Sequence, residues 1–263
     1  MKNILFLTDF SESSMEAIHY VCTMFSKEDK NYFILNVSKA GSLSLSSLMS
    51  SESIYDTVIR DNKEKLKIIK HTLEEQYKTN FKVSIRFNSF IDAVEEYVSK
   101  HNIDLIVSGF DGANSIEEKI FGSNTLNLIR SLETDTLIVP QEVTHATTNS
   151  VLCLLDEQDN LRIVLKKPFL KDKKLNIVRI VNNGNYSEAS KDQFLVKEHS
   201  NVDYKVIANI PMEYVKSYEM QTKSIDLSVL LVQESSVLER LFTDNSTTKI
   251  SKSLLKPILI LHQ

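Results

Sequence analysis

Glycine is scarce in this chain, with five in 263 residues. A glycine-poor chain places the few it has where the backbone needs φ > 0 or where something must come close to it. Cysteine is scarcer, and the two present, Cys22 and Cys153, sit among apolar residues. They have no CxxC partner and no metal-ligand spacing, and buried reduced thiols are expected in preference to a disulfide. There is no excess of positive charge: the formal net charge is −4. Nucleic acid and anionic membrane surfaces are therefore not expected partners. The basic clusters at Lys166-Lys167 and Lys171 to Lys174 read as solvated faces. No apolar run reaches the length of a membrane span, and the N-terminal one is too short for a signal-peptide core. A cytoplasmic location is expected. The six histidines show no metal spacing, and no Gly-Lys-Ser or Gly-Lys-Thr phosphate loop is present. Ser11, Ser13 and Ser14 have no histidine tied to them by motif, so no catalytic residue and no metal ligand are assigned.

Three of the five glycines fall in one stretch, Gly109-Phe-Asp-Gly112, nine residues, then Gly122-Ser123-Asn124-Thr125. It follows the apolar run Leu105 to Ser108, which reads as a buried strand. It leads into Leu126, Leu128 and Ile129, which read as the buried side of a helix. A glycine-rich loop at a helix start offers free N–H groups and the positive end of the helix dipole. Phosphate is the first ligand such a loop suggests.

The chain also repeats itself. Ile4 to Asp9 is echoed by Val151 to Asp156, Ile103-Asp104-Leu105 by Ile225-Asp226-Leu227, Ile116 to Phe121 by Val237 to Phe242, and Thr136 to Pro140 by Pro257 to Leu261. The echoes keep their order, which argues for two copies of one domain, 1–141 and 149–263, joined by the polar segment Gln141 to Asn149. In the first copy, strands at Ile4–Thr8, Tyr32–Val37, Phe81–Phe87, Asp104–Ser108 and Thr136–Val139 alternate with helices at Ser13–Ser26, Ile54–Tyr77, Phe90–Lys100 and Asn124–Ser131. The serine-rich segment Ser42 to Ser51 reads as a loop. Such alternation predicts an α/β fold with a parallel sheet covered by helices. The second copy is shorter, with little sequence between its second and third strands to replace the long helix.

At these residues the chain resembles a tandem universal stress protein. The strand ending Leu7-Thr8-Asp9-Phe10-Ser11 is similar to that family's N-terminal mark. The glycine spacing through Gly109, Gly112, Gly122 and Ser123 is similar to its second mark. The resemblance implies two open five-stranded parallel sheets of strand order 3-2-1-4-5, Rossmann-like and adenine-nucleotide alpha-hydrolase-like, packed as a pseudo-twofold dimer within one chain. Pairing is implied through the last strands, Thr136–Val139 against Pro257–Leu261, with a homodimer of whole chains also open. Ligands of such sheets bind at the carboxyl ends of the strands, where the order reverses. The resemblance implies ATP, with Asp9 and the backbone of Val37 at the adenine. Gly109, Gly112, Gly122, Ser123, Asn124 and Thr125 would surround ribose and triphosphate.

Asp111 departs from the family's usual polar or basic residue. A carboxylate ~4 Å from a phosphate oxygen costs about 1 kcal/mol in water-like surroundings and about 4 at intermediate dielectric. Mg²⁺ shared between the two would turn that cost into a contact; otherwise Asp111 points to solvent. The second copy keeps Asp156 but has no glycine between Leu231 and Asn245, so no nucleotide is expected there. Asp9 reads equally as an adenine ligand or as a cap of the next helix, where Ser11 or Ser13 also qualifies; Asp156 reads as a cap. Three functions stay open: an ATP-binding stress sensor or scaffold with an unknown protein partner, an interaction module without nucleotide, and a slow ATP hydrolase, for which no base is apparent.

Overall fold

The computed structural model describes residues 1–38, 51–87, 89–110, 123–143, 147–181, 186–210, 215, 218–219, 223–232 and 256–263, without the side chains of 51–56 and 123. The first half runs β1 (Asn3–Leu7), α1 (Glu12–Met24), β2 (Asn31–Val37), α2 (Ser51–Tyr77), β3 (Phe81–Arg86), α3 (Phe90–His101), β4 (Leu105–Phe110), α4 (Ser123–Ser131) and β5 (Thr136–Pro140). The second runs β6 (Ser150–Leu155), α5 (Leu161–Leu165), a 3-10 turn (Pro168–Leu170), β7 (Lys174–Val181), α6 (Ser187–Val196), β8 (Val202–Ala208), β9 (Leu227–Val232) and β10 (Ile258–His262).

Near-continuous apolar strands indicate a sheet buried on both faces. Successive residues of β1 show it: Ile4 and Phe6 join one core cluster, Leu5 and Leu7 another. The strands form one sheet in the order β3-β2-β1-β4-β5-β10-β9-β6-β7-β8. Each half has the expected 3-2-1-4-5 order, and pairing within each is parallel. The halves meet where β5 and β10 pair antiparallel, Ile138 with Ile258, Leu137 with Leu259 and Thr136 with Ile260. This is the expected meeting of the last strands. It covers two edges that would otherwise invite intermolecular pairing.

One face of the sheet carries a single core that runs across both halves, from Ile18 and Val21 of α1 and Leu66 of α2 to Leu161 and Val164 of α5. Of the α1 face expected from spacing, Ile18, Cys22 and Phe25 are buried and Met15 packs partly on the core. On the other face α4 straddles the seam: Leu128 enters the first half's core and Ile129 the second's. Phe25 meets Phe169 across the seam at 5.3 Å between ring centroids, and Lys167 pairs with Asp135. Both cysteines are free and buried. In the second half the ten-residue α6 stands where the first has the 27-residue α2.

The repeated Ile-Asp-Leu has a structural cause. Asp104 Oδ2 accepts the backbone N–H groups of Lys2 and Asn3, at 2.6 and 2.9 Å. Asp226 Oδ2 likewise accepts those of Asn149 and Ser150, at 2.9 and 3.0 Å. Each carboxylate clasps the start of its half's central strand. The hydrogen bonds hold Asp104 below the usual carboxylate range although partial burial acts against them.

Candidate functional site

The strand order reverses between β1 and β4, and register brings their carboxyl ends together. Leu7 pairs with Ser108, so Thr8 and Gly109 follow side by side, and Asp9 comes one residue further at the same end of the sheet. On β1's other flank Leu7 pairs with Leu35, which sets Val37 at the same end of the sheet. The start of α4 also lies here: Thr125 Oγ1 is 3.3 Å from Ser108 Oγ on β4. Asn124, beside it on α4, is exposed. The structure thus brings together Asp9, Val37, Gly109 and Thr125. Asp111, Gly112, Gly122 and the side chain of Ser123 lie outside the described residues.

The turn from β1 into α1 is built of hydroxyls. Ser11 caps α1, its Oγ accepting the Ser14 N–H at 3.3 Å. Asp9 is not the cap but holds it: Asp9 Oδ1 accepts Ser11 N–H at 3.0 Å and Ser11 Oγ–H at 2.5 Å. Since the Ser11 proton goes to Asp9, Ser13 donates in its 3.1 Å contact with Ser11. The Ser14 hydroxyl donates to Ser11 O, so Thr8 donates to Ser14 Oγ across 2.9 Å. Partial burial would raise the Asp9 carboxyl, but the hydrogen bonds outweigh it and hold it below the usual range. Asp9 therefore carries its charge at neutral pH.

Phe10 follows with φ of 69°, the left-handed region that a bulky residue rarely adopts. Such a residue costs on the order of 1–3 kcal/mol and persists only where its surroundings enforce it. Here its N–H donates to Thr8 Oγ1 at 3.0 Å, and Lys65 of α2 lies over its ring. Gly109 has a definite steric reason: a Cβ there would stand 2.3 Å from Ser13 O and 2.6 Å from Ser14 N. The close approach that its glycine permits is by the first turn of α1.

Sequence reasoning missed a polar chain beside this turn. Asn36 Nδ2 donates to Thr8 O, Ser38 Oγ to Asn36 Oδ1, and Asn62 Nδ2 of α2 to Ser38 Oγ, each at 2.8 Å. It ties α2 to the end of β1. Asn36, a polar residue inside an apolar strand, is the signal that was available.

The second half is different at the matching place. Leu155 pairs with Arg179 on β7, and Arg179 is fully buried. Its guanidinium donates to Asp192 Oδ2, to the carbonyls of Asp156 at 2.5 Å and Glu157 at 3.3 Å, and to that of Asp159 at 2.7 Å. Tyr204 OH also donates to Asp192 Oδ2. The Asp159 carboxylate is 2 % exposed; it accepts Asp156 N–H and, from the Gln263 amide, Nε2–H, both at 2.6 Å. Burial pushes the Asp159 carboxyl up to about 6; its hydrogen bonds pull it back, the Asp156 charge raises it and Arg179 lowers it. Asn160, and not Asp156, caps α5. Asp156 Oδ1 accepts the Glu157 N–H instead.

These features define a doubly wound α/β protein of two like halves. The universal stress protein family model matches residues 1–140, and the chain belongs to that family. Over 98% of its length it is 22% identical to Universal stress protein Slr1230 of Synechocystis sp., covering 99% of that protein. The crystal structure of a universal stress protein from Archaeoglobus fulgidus superposes with a TM-score of 0.74 at 15% identity, covering 99% of this chain and 98% of that one. The Pseudomonas aeruginosa protein PA1789 has the same fold, with a TM-score of 0.59 at 11% identity over 100% of this chain and 92% of its own. Among the described residues no helix is long and apolar enough to cross a membrane, and no group of three or more His, Cys, Asp or Glu could hold a metal ion.

Proposed function

We propose that the chain comprises two domains, residues 1–141 and 149–263, that the first binds ATP, and that the protein acts as a nucleotide-responsive sensor or scaffold in the cytoplasm. One observation carries this reading: Asp9, Val37, Gly109 and the start of α4 share the carboxyl end of the sheet at its reversal point. Asp9, charged and exposed, suits the exocyclic amine of adenine, with the Val37 backbone beside it. Asn124, Thr125 and the main-chain N–H groups that open α4 suit phosphate oxygens. Gly112, Gly122 and Ser123 belong to the same proposal through the glycine spacing. Mg²⁺ would accompany the triphosphate and spread its charge. Two free, buried cysteines fit a reducing compartment. Hydrolysis is not part of the proposal: a carboxyl held below its usual range is poorly matched to general-base work near neutral pH.

The test is ligand release from the native protein, followed by melting with and without ATP and Mg²⁺. At a concentration 100-fold above Kd, ATP adds about 2.7 kcal/mol, or roughly 5–10 °C in a chain of this size. Gly122→Val should remove the shift. A wild-type Tm that ignores ATP would leave the interaction-module reading, which the mutual hydrogen bonding of Thr8, Ser11 and Ser14 favours.

A further inference from the structure

Asn36 and Arg179 occupy the same place in the two halves. Leu7 pairs with Leu35 and Leu155 with Arg179, while the echo of Ile4 to Asp9 in Val151 to Asp156 sets Leu155 against Thr8. One step beyond Leu7 and Leu35, Thr8 faces Asn36, and Arg179 is the counterpart of Asn36. Both point toward the face that carries α1 and α5, since Tyr32 and Ile34 on β2, like Leu175 and Ile177 on β7, belong to the core of that face.

The two side chains do different things at the carboxyl end of the central strand. The short amide of Asn36 reaches one carbonyl, Thr8 O, and turns its oxygen to Ser38 and so toward α2. The guanidinium of Arg179 reaches three, from Asp156, Glu157 and Asp159, and draws the following turn around itself. The turns differ accordingly. α1 begins at Glu12, three residues past Asp9; α5 begins at Leu161, five past Asp156. Phe10 takes a positive φ, and Glu157, its counterpart, does not. The charge of Arg179 is met by Asp192, itself 2 % exposed, so the cation is fixed from both sides and shut off from solvent.

We propose that the second half is liganded by its own side chain: the Arg179 guanidinium fills the space at the ends of β6 and β7, which corresponds to the β1–β2 side of the first half's candidate site, where Asp9 and Val37 stand. The residue at this one position, Asn or Arg, decides which half is open to a ligand. For the first half the inference rests on the ATP reading; for the second it stands on the hydrogen bonds just given.

Two measurements test it. Arg179→Ala vacates the crevice and strands the Asp192 carboxylate. It should lower the Tm by roughly 10 °C, as removal of one partner of a buried ion pair does. Guanidinium chloride at tens of millimolar should raise the variant's Tm relative to equal sodium chloride and give no rise in wild type. A variant that treats the two salts alike overturns the proposal. Should the variant be recovered unfolded, refolding yield in the two salts is the readout, and equal yields overturn it too. Asn36→Arg should abolish the ATP-dependent Tm shift while the far-ultraviolet circular dichroism stays that of wild type. A retained shift sinks the assignment of Asn36 as the deciding residue and leaves the ATP reading intact. A wild type that never shows the shift sinks the ATP reading, and the guanidinium experiment still decides the second half.

Discussion

Asp159→Asn should change how stability depends on pH. Asp159 is buried beneath the turn that follows β6, and burial brings its carboxyl up to about 6 from an ordinary 3.8. Its folded value lies above its unfolded one, so the native state binds the proton more tightly between these values. The stabilising contribution is complete below about pH 4 and is lost as pH rises through about 6. A difference of about two pKa units corresponds to about 3 kcal/mol, of which roughly 2 fall between pH 4.5 and 7.5. The amide cannot ionise. The exchange adds a constant offset, because Gln263 must turn its own amide to meet the new side chain and thereby releases the Asn160 N–H it now accepts. The pH dependence of the difference is free of that offset and of every other titrating group common to both proteins. Urea unfolding of wild type and variant across this range should give curves that diverge, with the variant gaining about 2 kcal/mol relative to wild type toward neutral pH. Parallel curves would refute the argument that an ionised, buried Asp159 burdens the neutral-pH fold.

Gly109→Ala should destabilise by about 1–3 kcal/mol or more, since its new methyl group meets helix backbone that cannot move aside; an unchanged urea midpoint would show that β4 and α1 are not in such contact. Asp104→Ala and Asp226→Ala should each cost about 1–3 kcal/mol, because each leaves two backbone N–H groups at a strand start without their acceptor. Similar losses in the two variants, read by denaturant titration, are expected from the matched geometry, and a loss confined to one half would contradict it.

The layout of the sheet was legible in the sequence because the apolar runs are short and separated by segments of helical periodicity. The seam came from the family resemblance, which implies pairing of the last strands; the recurrence of Thr136 to Pro140 as Pro257 to Leu261 identified those strands but not their pairing. The cause of a repeated residue was not. Asp104 and Asp226 stand out as repetition, but their partners are N–H groups about a hundred residues and about eighty residues away, and no local pattern joins them. Glycine clustering could not tell what comes close: at Gly109 the near neighbour is the first turn of α1, and a tight approach looks alike in sequence whether a ligand or a helix makes it. Asp9 read as an adenine ligand or a cap, and the structure assigns the cap to Ser11, which immediately precedes the helix, while Asp9 stands two residues earlier and holds Ser11. Arg179 was the overlooked signal: a charge within the apolar run Leu175 to Val181 requires a buried counter-ion, and Asp192 supplies it.

The antiparallel join of β5 to β10 has a consequence beyond the edges it covers. Where two separate identical chains meet in this way, any substitution appears at both seats, and their union weakens on dilution. Here the partner is tethered by a few residues, so the union is independent of how much protein is present. Each half can then change alone, since a substitution in one seat is not repeated in the other.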